Sequence, residues 1–337
     1  MIKLCQWDIT GSCNLNCTYC REKATAGLQH LSLTKIFSIV DQLAEMKVRM
    51  VSIAGGEPLT LKFLPEVLAY LQGKVQSVAI TTNATLINDA NVGYLKKYCY
   101  AVQVSLDGSR AEIHDRFRGH GTFDKTTAAI RLMVKNGIKV VPRLTLCREN
   151  LNDTADFVRL AHKLGLNSAY LRRALPAGNA KHEIPLTPHE LYAAFKVAFE
   201  TGNELGMHVG SADYFSQLEF DPKERAKAEK NLAESPGQLL SGCSIGINAF
   251  YIAQDGKVLF CPYLPVLCGD LTEQTLSEIW KNSSMFKVGR SLRWNVTGKC
   301  SRCRFKMACG GCPAYVYLTT GKLTESDNGC WINEPAI

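Results

Sequence analysis

Three cysteines stand close together near the start of the chain, Cys13, Cys17 and Cys20, in the spacing C-x3-C-x2-C. Thiolates this close ride on one loop and can hold three corners of a cube, but they cannot complete a four-thiolate site. Soft sulfur ligands select zinc, copper or iron–sulfur groups, and a structural zinc takes four protein ligands at short spacing. The next donor in sequence is His30. A 4Fe-4S cluster with one iron left open for a ligand fits this ligand set better, and a zinc knuckle is the alternative.

A second cysteine system fills the C-terminal third. Cys243 precedes Cys261, then come Cys300-x2-Cys303-x5-Cys309-x2-Cys312 and finally Cys330. Paired CxxC sites also occur in zinc ribbons, so one zinc site with spare cysteines is the competing reading. Cys5, Cys99 and Cys147 have no partners at useful spacing and read as small apolar core residues. Fourteen cysteines in 337 residues, mostly at metal-like spacing, point to a reduced, cytoplasmic and anaerobic setting and away from a disulfide framework.

Polar residues at loop positions supply the rest of the candidate chemistry. Gly55-Gly56-Glu57-Pro58 is a loop by composition, with glycines that let backbone approach a ligand and a proline that presets a bend. Thr82-Asn83 and Ser105 offer hydroxyl and amide groups, although each could instead cap a following helix. Arg172, Arg173 and Lys181 are placed to meet carboxylates. Tyr263 is a candidate proton or electron relay, or a packed ring. The stretch His114-Asp115-Arg116-Phe117-Arg118-Gly119 is distinctive, but its histidine receives no acid–base role. Gly178 punctuates a loop where a substrate would enter.

The elements that must position these residues alternate regularly. Strands are expected at Leu4–Ile9, Met50–Ala54, Ser77–Thr81, Tyr100–Leu106, Lys139–Leu146 and Ser168–Leu171. Between and after them, helical spacing runs through Leu33–Met46, Leu64–Leu71, a helix capped by Asn88, Asp124–Asn136, Asp153–Leu164 and Pro188–Gly202. Six strand–helix units predict a parallel sheet. A doubly wound sheet is the rival to a barrel-like one, and motifs recurring at the carboxyl ends of several strands favour the barrel. The segment 206–242 is polar and charge-rich and reads as a linker or bridging helix. It divides a unit at 1–205 from one at 243–337, where Phe250–Ala253 and Val258–Phe260 flank Asp255-Gly256 as a hairpin.

Composition bounds the class. Hydrophobic residues make up 46% and charged residues 21%, which describes a globular enzyme rather than a disordered chain. No apolar run approaches the length of a membrane span, and no signal peptide precedes the first strand. The formal charge of +8 counts the cysteines as neutral; as cluster thiolates they would bring the balance nearer zero. The basic residues are scattered, so neither nucleic acid nor membrane is an expected partner.

From Asp8 to Cys330 the chain resembles the radical S-adenosylmethionine (SAM) superfamily with a C-terminal SPASM extension, on the C-x3-C-x2-C loop, Gly55–Pro58 and the later cysteine array. The resemblance implies an α/β fold, a partial (β/α)6 TIM-like barrel with a small C-terminal domain holding auxiliary clusters. It implies that Cys13, Cys17 and Cys20 hold a cluster whose open iron binds the amino and carboxylate groups of SAM. Reductive cleavage there gives methionine and a 5′-deoxyadenosyl radical. Gly55, Gly56, Glu57 and Pro58 would meet the SAM amino group, Thr82, Asn83 and Ser105 its carboxylate or ribose, Arg143 its carboxylate and Leu171 its adenine. Cys300, Cys303, Cys309 and Cys330 would hold an outer 4Fe-4S cluster. Cys243, Cys261 and Cys312 would hold an inner one, either 4Fe-4S or 2Fe-2S. The chain lacks the family's cysteine shortly before Cys243 and has x2 where many members have x3, so Cys268 is a candidate fourth ligand, with an open iron as the alternative.

Within the superfamily the C-terminal motifs look closest to branches that modify peptides or tetrapyrroles. The sulfatase-maturing branch fits less well, since Pro262-Tyr263 stands where its acid–base aspartate would follow Cys261. The expected activity is a radical oxidoreductase or maturase that forms a thioether or C–C cross-link in a peptide or protein. Oxidative decarboxylation or side-chain modification of a tetrapyrrole is the second reading, and a non-catalytic electron carrier the third. A flavodoxin or ferredoxin would donate electrons. With the first cysteines at residue 13 there is no room before them for a peptide-recognition domain, so a peptide substrate would call for a separate recognition protein.

Overall fold

The computed structural model describes residues 2–21, 30–180, 185–235 and 242–332. Six strands appear where the pattern places them: β1 (Leu4–Asp8), β2 (Met50–Ala54), β3 (Ser77–Thr82), β4 (Ala101–Ser105), β5 (Val140–Leu146) and β6 (Ser168–Arg173). Each pairs in parallel with the next in sequence. A doubly wound sheet reverses its strand order at a switch point, whereas here the order runs β1 to β6 without reversal. The arrangement is an open, partial TIM-like barrel.

Crossover helices cover the strands: α1 (Leu33–Glu45), α2 (Leu64–Leu71), α3 (Asp89–Tyr98), α4 (Ala111–Arg118), α5 (Thr122–Lys135), α6 (Thr154–Lys163) and α7 (Pro188–Glu204). In α1 the Ser32 hydroxyl accepts the Lys35 N–H at 3.2 Å, satisfying one free donor of the first turn. Ile36, Ile39, Val40 and Leu43 form its buried face, each contributing about 2 kcal/mol of apolar burial. The helix α4 departs from expectation, because the glycines of Gly119-His120-Gly121 split what reads as loop plus helix into two helices. Asp115, on α4, accepts the N–H groups of Gly121 (2.7 Å) and Phe123 (2.8 Å), so it caps α5 from outside that helix.

The segment expected as a linker opens instead with a seventh strand, β7 (His208–Ser211), parallel to β6. Four residues that include a glycine carry too little periodicity to be recognised as a strand. Two helices follow, α8 (Tyr214–Phe220) and α9 (Pro222–Glu234). The C-terminal strands β8 (Ala249–Ile252), β9 (Lys257–Cys261) and β10 (Leu264–Asp270) then extend the same sheet from its other edge. β8 lies parallel to β1, with Leu4 opposite Ala249, and β9 and β10 are antiparallel additions. The ten-stranded order is β10-β9-β8-β1-β2-β3-β4-β5-β6-β7. Among the described residues four α-helices follow: α10 (Leu276–Asn282), α11 (Ser284–Ser291), α12 (Gly298–Ser301) and α13 (Pro313–Thr320). Among the described residues no helix is long and apolar enough to cross a membrane.

Candidate active site and cysteine centres

The cysteine loop leaves β1 and is held from two sides. Gly56 and Glu57, past the end of β2, donate their N–H groups to Thr10 O (2.7 Å) and Ser12 O (2.8 Å). A Cβ on Gly56 would stand 2.2 Å from Ser12 O, so only glycine permits this approach. After β6, Gly178 adopts φ +60° with its Cα against the carbonyls of Cys20 and Arg21. Asn179 then donates its N–H to Cys20 O (2.8 Å) and its amide to Cys17 O (2.9 Å). Gly178 thus closes on the cysteine loop itself. Arg21 ends the loop in an ion pair with Asp8, whose carboxylate also accepts the Tyr251 hydroxyl at 2.7 Å.

Beneath the loop, Glu57 is fully buried. Its carboxylate accepts the Thr82 hydroxyl (2.7 Å), the Asn83 N–H (2.7 Å) and the Leu59 N–H (3.1 Å). Burial raises its pKa, opposed by these donors. Glu57 thus ties β2 to the end of β3 and is not among the residues that line the cavity above it. Pro58 is buried at the start of a short 3-10 turn and shapes the same loop. The Asn83 amide donates to Asn14 Oδ1 (2.9 Å), and its oxygen accepts from Thr85, fastening β3 to the cysteine loop.

A cavity of about 190 Å³ opens over this framework. Cys13, Cys17 and Cys20 line it together with Gly55, Gly56, Thr82, Asn83, Ser105, Arg143 and Tyr263. Leu171 does not, because it occupies the inward pleat of β6 and is wholly buried in the core. The adjacent Arg172 lines the cavity instead, followed by Ala174 and Leu175. Lys181 lies outside the described residues. Burial pushes the Cys13 thiol up to about 11, with Glu57 and the neighbouring cysteines adding to the rise. Such thiols become ligands only when a metal replaces their protons.

A network absent from the sequence expectations abuts Cys17. Asp107, just past β4, is fully buried; it pairs with Arg118, accepts the Tyr19 hydroxyl and accepts the Thr145 N–H at 3.0 Å. Arg118 also donates to the Tyr19 hydroxyl at 2.6 Å and approaches Cys17 Sγ at 3.8 Å. His114 accepts the Asp107 N–H at 3.1 Å. Burial, then the nearby Arg118 charge, lower its pKa to about 4, so it is a neutral structural acceptor. The signals were Asp107-Gly108 at a strand end and the His114–Gly119 stretch, but spacing alone did not join them to Tyr19.

The later cysteines separate into two groups. Cys300, Cys303, Cys309 and Cys330 line one small cavity beside Lys299 and Asp327. Cys243 and Cys312 line a second cavity, of about 340 Å³, with Tyr170, Ser211 and Asp213. The Cys312 thiol is raised first by burial and further by Cys243 and Cys261, so these three are neighbours. Cys268 stands apart. Leu264 pairs with Cys261, and the irregular ladder of β10 then carries Cys268 to the level between the Leu267–Leu259 and Gly269–Val258 pairs, away from Cys261. Its thiol responds to burial and to the Ser283 hydroxyl, not to another cysteine. Pro265, after which Cys268 could have folded back, lies inside β10, and the chain runs on past it as a strand.

Arg173, expected near substrate carboxylates, is committed elsewhere. It is 1% exposed and makes a bidentate pair with Asp327 at 2.8 and 2.5 Å, with Asp213 at 2.9 Å from its Nε. Asp327 also accepts the Cys312 N–H at 2.9 Å. This ion cluster joins β6 to both cysteine groups. Among the described residues no three His, Cys, Asp or Glu side chains converge on a single metal ion. The fit to iron–sulfur groups therefore rests on all-thiol donor sets gathered around shared cavities.

Comparison with known proteins agrees with this geometry. The radical SAM superfamily model matches residues 7–161, and the SPASM iron–sulfur cluster-binding domain matches residues 243–304. An AdoMet-dependent heme synthase of Methanosarcina barkeri is 29% identical over 97% of this chain and 96% of its own. A mycofactocin maturase, MftC, of Mycobacterium tuberculosis is 28% identical over 98% of this chain and 84% of its own. Among solved structures, Streptococcus suis SuiB bound to precursor peptide SuiA superposes with a TM-score of 0.77 at 18% identity, covering 98% of this chain and 76% of that one. The cysteine loop at the mouth of a partial barrel, the thiol groups beyond it and these two domain matches coincide: the chain belongs to the radical SAM superfamily and is an enzyme of that superfamily with a C-terminal SPASM domain.

Proposed function

We propose that this enzyme uses SAM bound over Cys13, Cys17 and Cys20 to oxidise a carboxylated tetrapyrrole, removing a propionate carboxyl group as carbon dioxide and leaving an alkene. The observation that carries the oxidative reading is the dipeptide distance between two sites. Tyr263 lines the SAM cavity, and Cys261, two residues earlier, belongs to the inner thiol group. A substrate in the cavity thus lies beside a candidate electron acceptor. The choice of a tetrapyrrole draws support from the heme synthases that align over nearly the full length of the chain; this part is family analogy.

When bound, the cluster and SAM supply a radical that removes one hydrogen atom from an unactivated carbon. This chain's residues do the remaining work. The Gly55-Gly56 backbone and Arg143 hold SAM, and Cys13, Cys17 and Cys20 are the thiolate ligands of its cluster. Cys300, Cys303, Cys309 and Cys330 would hold the outer cluster, and Cys243, Cys261 and Cys312 the inner one with a position left for a non-cysteine ligand. Loss of the hydrogen atom, carbon dioxide, one electron and the carboxyl proton balances the conversion of a propionate to a vinyl group. The cluster that Cys243, Cys261 and Cys312 would hold would supply the one-electron acceptor that this balance requires.

A peptide substrate is the second reading, favoured by the mycofactocin maturases among the relatives. Reduced enzyme and SAM incubated with a propionate-bearing tetrapyrrole, and separately with a candidate peptide, decide between them by mass. Decarboxylation with hydrogen removal takes away about 46 Da per event, and cross-linking about 2 Da. A change confined to the peptide overturns the tetrapyrrole reading.

A further inference from the structure

Four arginines line the cavity over the cysteine loop, and among the described residues only two of them form a direct ion pair with a carboxylate. Arg21 pairs with Asp8 and Arg118 with Asp107. Arg143 donates to the Gln103 side-chain oxygen and lies over the Tyr170 ring at 4.8 Å. Arg172 lies over the Tyr263 ring at 4.3 Å. Among the described residues neither Arg143 nor Arg172 has a carboxylate partner. Burial holds the Arg143 pKa below the ordinary guanidinium value, and the Arg172 charge lowers it further. Two like charges in one cavity call for two anions.

Strand register assigns them different depths. Arg143 pairs with Tyr170, whereas Arg172 pairs with Thr145, one pleat nearer the carboxyl edge of the sheet. SAM brings a single carboxylate. With Arg143 taking it, Arg172 remains charged on the side of the inner thiols without a carboxylate in direct contact; the buried Asp213, itself ion-paired with Arg173, and Cys312 lie within its electrostatic reach. We infer that Arg172, backed by the Tyr263 ring, anchors a carboxylate of the substrate, separate from that of SAM. A guanidinium fork suits bidentate carboxylate binding, and its aromatic backing fixes its plane. The anchor holds the acid group between the radical source and the Cys243, Cys261 and Cys312 group. Only the choice of first probe rests on the tetrapyrrole reading.

The test is binding, with no reductant present. Reconstituted enzyme loaded with SAM is titrated by absorbance with an iron porphyrin bearing two propionates and with its dimethyl ester. Wild type should favour the acid about tenfold or more, the ratio expected for a charge-assisted pair. Arg172→Met should remove that preference and Arg172→Lys should keep part of it. Iron content and the spectral change on adding SAM report that each variant is folded and loaded. Equal binding of acid and ester by wild type overturns the anchor, as does an Arg172→Met variant that keeps the preference while only the inner cluster's potential moves. Binding of neither porphyrin overturns the tetrapyrrole reading instead. A peptide with a free C-terminal carboxylate and its amide, titrated against the same variants, then decide the anchor by the same criterion.

Discussion

Arg118 touches Cys17: its Nη1 lies 3.8 Å from the Cys17 sulfur, while its other nitrogens are fixed by Asp107 and by the Tyr19 hydroxyl. A charged donor aimed at a cluster thiolate stabilises the reduced, more negative state and raises its potential. Arg118→Gln should therefore lower the midpoint of the Cys13–Cys17–Cys20 cluster by on the order of 60 mV, from the worth of one charged hydrogen bond. An anaerobic redox titration followed by electron paramagnetic resonance reads this directly. An unchanged midpoint in a variant with full iron content would assign Arg118 to packing alone.

Glu57 is a brace, and its loss should be felt as stability before chemistry. Glu57→Ala leaves the Asn83 and Leu59 N–H groups and the Thr82 hydroxyl without their acceptor. The cost should be about 3 kcal/mol, with SAM affinity falling because Asn83 no longer fastens the cysteine loop. Anaerobic urea denaturation gives the first quantity and SAM titration the second. A variant as stable as wild type would remove Glu57 from the framework.

His114 gives the fold a pH dependence. It is buried and neutral, with a pKa near 4 against an ordinary 6.5. Between those values the unfolded chain binds the extra proton, so stability falls as pH falls from 6.5 toward 4. The total contribution is about 3 kcal/mol. Glutamine at this position can still accept the Asp107 N–H through its side-chain oxygen, so His114→Gln should flatten that part of the profile. A urea midpoint that declines as steeply in the variant would locate the effect in another group.

Iron content separates the cysteine groups. Wild-type enzyme should bind about twelve irons with three cubanes, or about ten if the inner group holds a 2Fe-2S cluster. Cys13, Cys17 and Cys20 replaced together should remove about four of them and leave the others. Cys268→Ala should leave both iron and spectrum unchanged, because β10 carries that residue away from Cys261. Loss of the inner signal in Cys268→Ala would return it to the ligand set.

Spacing and periodicity carried most of the architecture. The six strands, the hairpin around Asp255-Gly256 and the first cysteine loop are local signals, and local signals survive in a linear reading. β7 was hidden because its four residues lack a pattern, and α4 because a helix of polar residues between glycines resembles a loop. Cys300, Cys303, Cys309 and Cys330 share one cavity and Cys243 and Cys312 another, whereas their division into two ligand sets came from the resemblance and not from spacing. The surroundings of Glu57, Leu171, Arg173 and Cys268 were not legible in the sequence for a different reason. Each is a side-chain direction or partner set by tertiary packing: the pleat of β6 turns Leu171 inward while Arg172 faces the cavity. The Asp107–Arg118–Tyr19 network joins three separate segments, and no local pattern encodes it.

The most direct test of the central claim is hydrogen transfer. Reduced enzyme with SAM is given a propionate-bearing tetrapyrrole deuterated at the side-chain carbon attached to the ring, and the 5′-deoxyadenosine formed is weighed. Direct abstraction in the cavity predicts a gain of about 1 Da in that product, with none formed by the enzyme lacking Cys13, Cys17 and Cys20. Unlabelled 5′-deoxyadenosine, or equal amounts from that variant, would contradict it.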